Sequence, residues 1–145
     1  MNDVNLKKNI YWQLLRVAIN AKHHLMKIAT TYGLTVMQLY ILYVLKTDNA
    51  IPMNSLSSML SCDASNVTGI VDRLLSHNYI KREENPKDRR EKIITLTSEG
   101  ALLSEKIADA LSANQPASIS TLSDNQKQQL QVLLSIILEQ PAVTS

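Results

Sequence analysis

Two stretches of this chain carry side chains suited to gripping a polyanion and reading the groups on its surface. The first is Asp63-Ala64-Ser65-Asn66-Val67-Thr68-Gly69-Ile70-Val71-Asp72-Arg73-Leu74-Leu75-Ser76-His77. Wound at 3.6 residues per turn, Val67, Ile70, Val71, Leu74 and Leu75 fall within roughly 100° of one another. Ser65, Thr68, Gly69, Asp72 and Ser76 then face outward, with Asn66 and Arg73 on a flank. A short polar face of this kind fits a DNA major groove about 12 Å wide, where Asn pairs with adenine and a Thr methyl touches the thymine methyl. Gly69 costs about 1 kcal/mol relative to Ala inside a helix. Close approach of the backbone to DNA is one reason to tolerate it, and a neutral surface position is the other; the first is preferred. Asp72 runs against the pattern, because phosphates repel a carboxylate, so it is expected to pair with an arginine of its own chain.

The second stretch concentrates cations. Lys81, Arg82, Lys87, Arg89, Arg90 and Lys92 lie close together, diluted by Glu83, Glu84, Asp88 and Glu91. A solvated surface hairpin accounts for such a mixture, but its position directly after the first stretch is where a wing would flank a duplex, and arginine favours narrow minor grooves.

Local patterning supplies the elements that hold these groups. Leu6, Ile10, Leu14, Val17, Ala18, Ala21, Leu25 and Ile28 recur at three- and four-residue intervals, which predicts an amphipathic helix from Asn5 to Thr31, closed by Gly33 as a left-handed cap. Thr35 and Gln38 form a capping box for a helix from Val36 to about Thr47. Asp48 to Pro52 reads as a turn and a short extended stretch. A short helix from Met53 to Leu60 follows, adding Asn54 and Ser55 as candidate DNA contacts. Ser61-Cys62-Asp63 interrupts it, and Asp63 is an N-cap for a helix from Ala64 to about His77. Two helices parted by three residues make a helix-turn-helix.

Tyr79 to Glu83 and Glu91 to Leu96 are β-prone, and the polar run Glu84 to Arg90 between them predicts a hairpin with a longer connection. Thr97 or Ser98 caps a helix to about Ala113, with Glu99 at its positive end. Past a polar connection with Pro116, Ser123 and Gln126 form a second capping box. The last helix carries Leu130, Leu133, Leu134, Ile137 and Leu138 and stops before Pro141. The expected fold class is mainly α with a small β-hairpin wing.

Composition sets the outer limits. The chain has 145 residues, 45% hydrophobic, with three Gly and four Pro, which suits one ordered domain without a second independent one. No basic-then-apolar leader and no run of about 18 apolar residues is legible, so a soluble, cytoplasmic protein with no membrane partner is expected. A single Cys excludes an internal disulfide and a cysteine-rich zinc site. The formal charge of +2 permits nucleic acid without arguing for it. His23 and His24 are adjacent and point to different sides of a helix, so no metal is expected. Neither a phosphate loop nor a hydrolase motif is present, so no catalytic residue, cofactor or enzymatic activity is expected.

At Asp88-Arg89-Arg90-Glu91-Lys92-Ile93-Ile94-Thr95-Leu96-Thr97 the chain matches the D-x-R-x5-L-T wing signature of the MarR family, followed by the Ser98-Glu99-Gly100 ending common there. The stretch from Asp63 to Leu74 resembles that family's recognition helix, and the order of elements agrees over nearly the whole chain. The resemblance implies a winged helix-turn-helix spanning residues 36–97 and a homodimer built from helices 5–31 and 123–140. It implies a pseudo-palindromic double-stranded DNA operator and a repressor released by a small aromatic or anionic effector. Arg90 then takes the place of the wing-tip arginine that enters the minor groove, oriented by Asp88, with Arg89 a second candidate and Lys87 beside them. Ser65, Asn66, Thr68, Gly69 and Arg73 fall on the recognition surface. Two-fold symmetry would set the half-sites about 34–36 Å apart.

Candidate effector contacts are Tyr11, Trp12, His23, His24, Tyr40 and Tyr43, each of which packing alone would also explain. Cys62 offers a thiol-based alternative, but peroxide-sensing relatives carry theirs near the start of the first helix, where this chain has none. The other alternative is a winged-helix protein-interaction module without DNA binding, supported only by the acidic residues of the hairpin.

Overall fold

The computed structural model describes residues 3–139, with side chains from Asn9 onward; the Leu6 side chain, Gln140 and Pro141 of the sequence reading lie outside the described residues. The chain divides into two compact units, Met1–Ser112 and Ala113–Ser145.

The first unit opens with helix α1 (Asp3–Thr31). Of its described side chains, Ile28 and Ala29 near the end are buried in the core, while Ile10, Tyr11, Trp12, Leu14 and Val17 are exposed within this unit. Gly33 adopts φ 68°, the left-handed geometry that ends the helix. Helix α2 (Val36–Asp48) begins at a complete capping box: Gln38 N–H donates to Thr35 Oγ1 at 3.3 Å, and Thr35 N–H donates to Gln38 Oε1 at 2.9 Å. That reciprocal bond is why Gln38 tolerates near-complete burial. Strand β1 (Ala50–Pro52) comes next. The segment expected as one short helix is split into a 3-10 turn (Met53–Ser55) and α3 (Leu56–Leu60), because the chain must bend directly after Pro52.

Helix α4 (Ala64–Ser76) buries Val67, Val71 and Leu74 as the apolar stripe requires. Asp63 has the extended backbone of an N-cap, but its carboxylate makes no capping bond, contrary to expectation. Strands β2 (Ile80–Asn85) and β3 (Asp88–Leu96) form the hairpin, and β3 also pairs with β1, giving an antiparallel sheet ordered β1-β3-β2. The connection is tighter than the sequence suggested. Glu84 and Asn85 extend β2, and Asp88 to Arg90 begin β3, so only Pro86 and Lys87 turn the corner. Helix α5 (Ser98–Ala113) closes the core with Leu103 and Ile107. The shared interior is aliphatic, with Ile41, Leu42, Leu45, Ile51, Leu56, Val71, Leu74, Ile80 and Ile94 essentially closed to solvent.

The second unit contains a short helix α6 (Ala117–Ser120), which the sequence reading passed over as connection, and α7 (Asp124–Leu138). The capping box of Ser123 and Gln126 is formed on both sides. None of the described α7 side chains is buried, so Leu133, Leu134, Ile137 and Leu138 are exposed.

Candidate nucleic-acid interface

Helices α3 and α4 are joined by a locked turn. Ser61 sits in the left-handed region at φ 51°. Cys62 N–H donates to Ser57 O at 3.2 Å, and Ser57 Oγ donates back to Cys62 O at 2.7 Å. The angle between the two helices is therefore fixed by backbone and a serine hydroxyl, and half-buried Cys62 serves that turn.

Beyond the turn, Ser65, Asn66, Thr68, Gly69, Asp72 and Arg73 are all exposed on α4. Thr68 Oγ1 donates to Ala64 O at 3.0 Å, which fixes its rotamer and leaves its methyl and remaining lone pair turned outward. Around Gly69 an added Cβ would meet no atom within 4 Å, so no packing within the chain demands glycine there. Asp72 has the expected intramolecular partner: its Oδ1 lies 3.8 Å from Arg82 Nη2 on β2, tying the polar face of α4 to the hairpin. Asn54 is exposed. Ser55 is half-buried and its hydroxyl donates to Pro52 O at 2.8 Å, so it closes its own turn.

The hairpin sorts its charges by position. Near its base, Lys81 pairs with Glu83 at 2.9 Å and Lys92 with Glu84 at 3.4 Å, while Arg82 is held by Asp72. Glu83 and Glu84 therefore neutralise cations near the base of the hairpin and leave Lys87 and Arg89 at its tip without an ion pair among the described residues. At the tip, Asn85 Oδ1 accepts from Lys87 N–H at 3.0 Å and Asn85 Nδ2 donates to Glu91 Oε2 at 2.6 Å, an Asx turn that explains the tight corner. Asn85 stands opposite Asp88 whereas Glu84 stands opposite Lys92, so residues 89–91 of β3 bulge out with no β2 residue facing them. Bulges of this sort re-aim side chains. Asp88 Oδ1 accepts from both the N–H and Nε of Arg90, at 3.1 and 3.3 Å, yet the Arg90 side chain remains 92% exposed. Lys87 and Arg89 are exposed too, and among the described residues neither has an ion-pair partner. The geometry is that of a polar helix face beside a cation-tipped arm.

Comparison with known proteins agrees with this geometry. The MarR family profile matches residues 34–92, from just before α2 into β3. Over these residues the chain is similar to the MarR family. Its relatives include the HTH-type transcriptional regulator YkoM of Bacillus subtilis (strain 168), 26% identical over 132 residues, covering 91% of this chain and 86% of YkoM. Among solved structures, a cysteine mutant of MarR from E. coli complexed with operator DNA superposes with TM-score 0.76 at 22% identity, covering 95% of this chain and 99% of that one. A MarR transcriptional regulator from Methanosarcina mazei Go1 gives TM-score 0.79 at 23% identity, with 91% and 95% covered. The fold is that of the winged helix-turn-helix MarR regulators, and the hairpin stands in the place of their wing.

Of the six candidate effector contacts, Tyr40 and Tyr43 come together, with ring centroids 6.3 Å apart, and both border a cavity in the first unit. Tyr11 and Trp12 pair edge to face at 6.5 Å on the exposed part of α1, and neither they nor His23 and His24 border that cavity. Sequence reasoning did not single out Asn85, whose Asn-Pro pairing is a legible turn signal. It also missed the cavity wall on α5. Among the described residues no group of three or more His, Cys, Asp or Glu is placed to hold a metal ion. No single helix among them is long and apolar enough to cross a membrane.

Proposed function

We propose that the chain acts as a homodimeric, sequence-specific DNA-binding repressor, released from a pseudo-palindromic operator by a small molecule. Each subunit lays α4 in a major groove and its wing tip in the flanking minor groove. The observation that carries this reading is the sorting of charge: Lys87 and Arg89 are exposed at the tip with no ion-pair partner among the described residues, Arg90 beside them is held by Asp88 yet 92% exposed, and Lys81, Arg82 and Lys92 nearer the base are paired. Ser65, Asn66, Thr68, Gly69 and Arg73 would meet base edges and phosphates, with Asn54 adding a backbone contact from the turn before α3 and Ser55 holding that turn. The E. coli MarR complex with operator DNA supplies a fold-level parallel.

Dimerisation is supported by the apolar side chains left exposed on α1 and α7, since contiguous exposed apolar surface marks association. The protein would work in the cytoplasm, where its DNA is, and by binding rather than catalysis. Titration of the full chain into duplexes selected from a random pool tests the reading. Affinity should fall steeply with salt. Arg90→Ala should weaken binding and reduce the salt slope by about one unit per lost phosphate contact. Salt-independent or absent duplex binding, or a monomer at micromolar concentration, would overturn it.

A further inference from the structure

Helices α1, α2, α3 and α5 bound a cavity of about 600 Å³, within the range of about 300–1,000 Å³ typical of small-molecule sites. Its wall is aliphatic: Leu25 from α1, Leu39 and Leu42 from α2, Met59 from α3, Ile107 and Leu111 from α5. Four polar side chains interrupt it, Tyr40, Tyr43, Lys46 and Ser104, and of these Ser104 alone is buried. Lys46, the charged side chain of the wall, is exposed, so its ammonium is already hydrated. Ser104 is 5% exposed, and its Oγ has no hydrogen-bond partner among the described residues.

An unsatisfied buried hydroxyl is costly, and one that persists in a native structure wants an explanation. A water molecule needs about 2–4 polar partners, and the other polar side chains of the wall, Tyr40, Tyr43 and Lys46, are exposed rather than buried beside Ser104. A ligand carrying one hydrogen-bonding group on an apolar body satisfies Ser104 and fills the volume at once. Charge decides the rest. A carboxylate drawn in to reach buried Ser104 would shed its hydration while the one cation of the wall, Lys46, stays exposed to solvent, a penalty far larger than a neutral polar group pays.

We propose that this cavity binds an uncharged, predominantly apolar small molecule whose single hydroxyl or carbonyl group hydrogen-bonds Ser104. This narrows the small aromatic or anionic effector that the family resemblance implies to an uncharged one. Binding itself stands independently of the DNA-regulator reading; only its consequence for operator release rests on that reading.

Calorimetric titration of the full chain with 1-decanol and with decanoate at neutral pH, without DNA, tests the site. Decanol should bind at least about tenfold more tightly than decanoate. Ser104→Ala should weaken decanol about fivefold, the loss of one hydrogen bond, without lowering the melting temperature of the free protein, because the orphan is removed. Ala108→Phe, which puts a ring into the wall, should abolish binding. Should that variant melt early, Ala108→Met gives the milder plug. Equal or tighter binding of decanoate overturns the proposal, as does no binding of either probe. Decanol binding that ignores both substitutions means adventitious association and also overturns it. A change of oligomeric state on plugging would assign the cavity to a second copy instead. Duplex binding, measured separately, fails or survives without touching this result.

Discussion

Gly100→Ala sets two effects against each other at one atom. Gly100 is the third residue of α5, where alanine is favoured over glycine by about 1 kcal/mol on helix propensity alone. An added Cβ, however, would lie 1.9 Å from Tyr79 O and 2.9 Å from Tyr79 C. Those are backbone atoms, so no side chain can swing aside, and α5 must back away from the end of α4. The same junction holds Thr97 N–H on Tyr79 O at 3.1 Å, Thr97 Oγ1 on Asn78 O at 2.6 Å, and Gly100 N–H on Thr97 Oγ1 at 3.0 Å. Overpacking typically costs 1–3 kcal/mol, and stretching one of these bonds adds about 1 kcal/mol. Against the propensity gain, the net loss is about 2 kcal/mol, out of a total on the order of 5–15 kcal/mol. Urea denaturation followed by far-UV circular dichroism at fixed chain concentration should show a lower midpoint with an unchanged slope, and melting should fall by about 4–8 °C. A midpoint equal to or above that of the parent would mean that propensity governs the site, and the steric reasoning would be refuted.

Gly69→Ala is the contrasting case: with open space around it, the folded state should gain up to about 1 kcal/mol while operator affinity drops, separating the two in a denaturation and a binding titration. Asp72→Asn breaks an exposed pair with Arg82 and should change stability by less than about 1 kcal/mol; non-specific duplex binding at low salt should tighten, because a carboxylate leaves the groove-facing side. Thr97→Val removes a hydroxyl that both accepts from Gly100 and donates to Asn78, and should cost about 1–2 kcal/mol by the same denaturation assay.

What the sequence disclosed and what it withheld divide along the range of the interactions involved. The boundaries of α2 and α7 were legible because Thr35 with Gln38, and Ser123 with Gln126, are three-residue signals that act where they stand. The stripe of α4 was legible because Val67, Val71 and Leu74 repeat at helical intervals. The Asn85-Pro86 pair announces a turn, but the tightness of the wing corner was not legible, because it comes from Asn85 reaching Glu91 across the turn. The Asp72 partner was expected as an arginine, but which arginine depends on β2 lying beside α4. The effector contacts were the weakest reading, since aromatic type selected six residues of which Tyr40 and Tyr43 line the cavity. Leu25, Met59 and Leu111 meet there from distant parts of the chain, and nothing local to any of them announces it.

The clasp of Thr97 and Gly100 on Asn78 and Tyr79 has a mechanical consequence. From Thr97 to Ser104 is seven residues of helix, a stiff rod of about 10 Å. One end carries a wall of the cavity, and the other is hydrogen-bonded to Asn78 and Tyr79, the turn that directly follows α4. A displacement of α5 at Ser104 is therefore delivered to a short turn that is itself hydrogen-bonded back to Leu74 and Leu75 of α4.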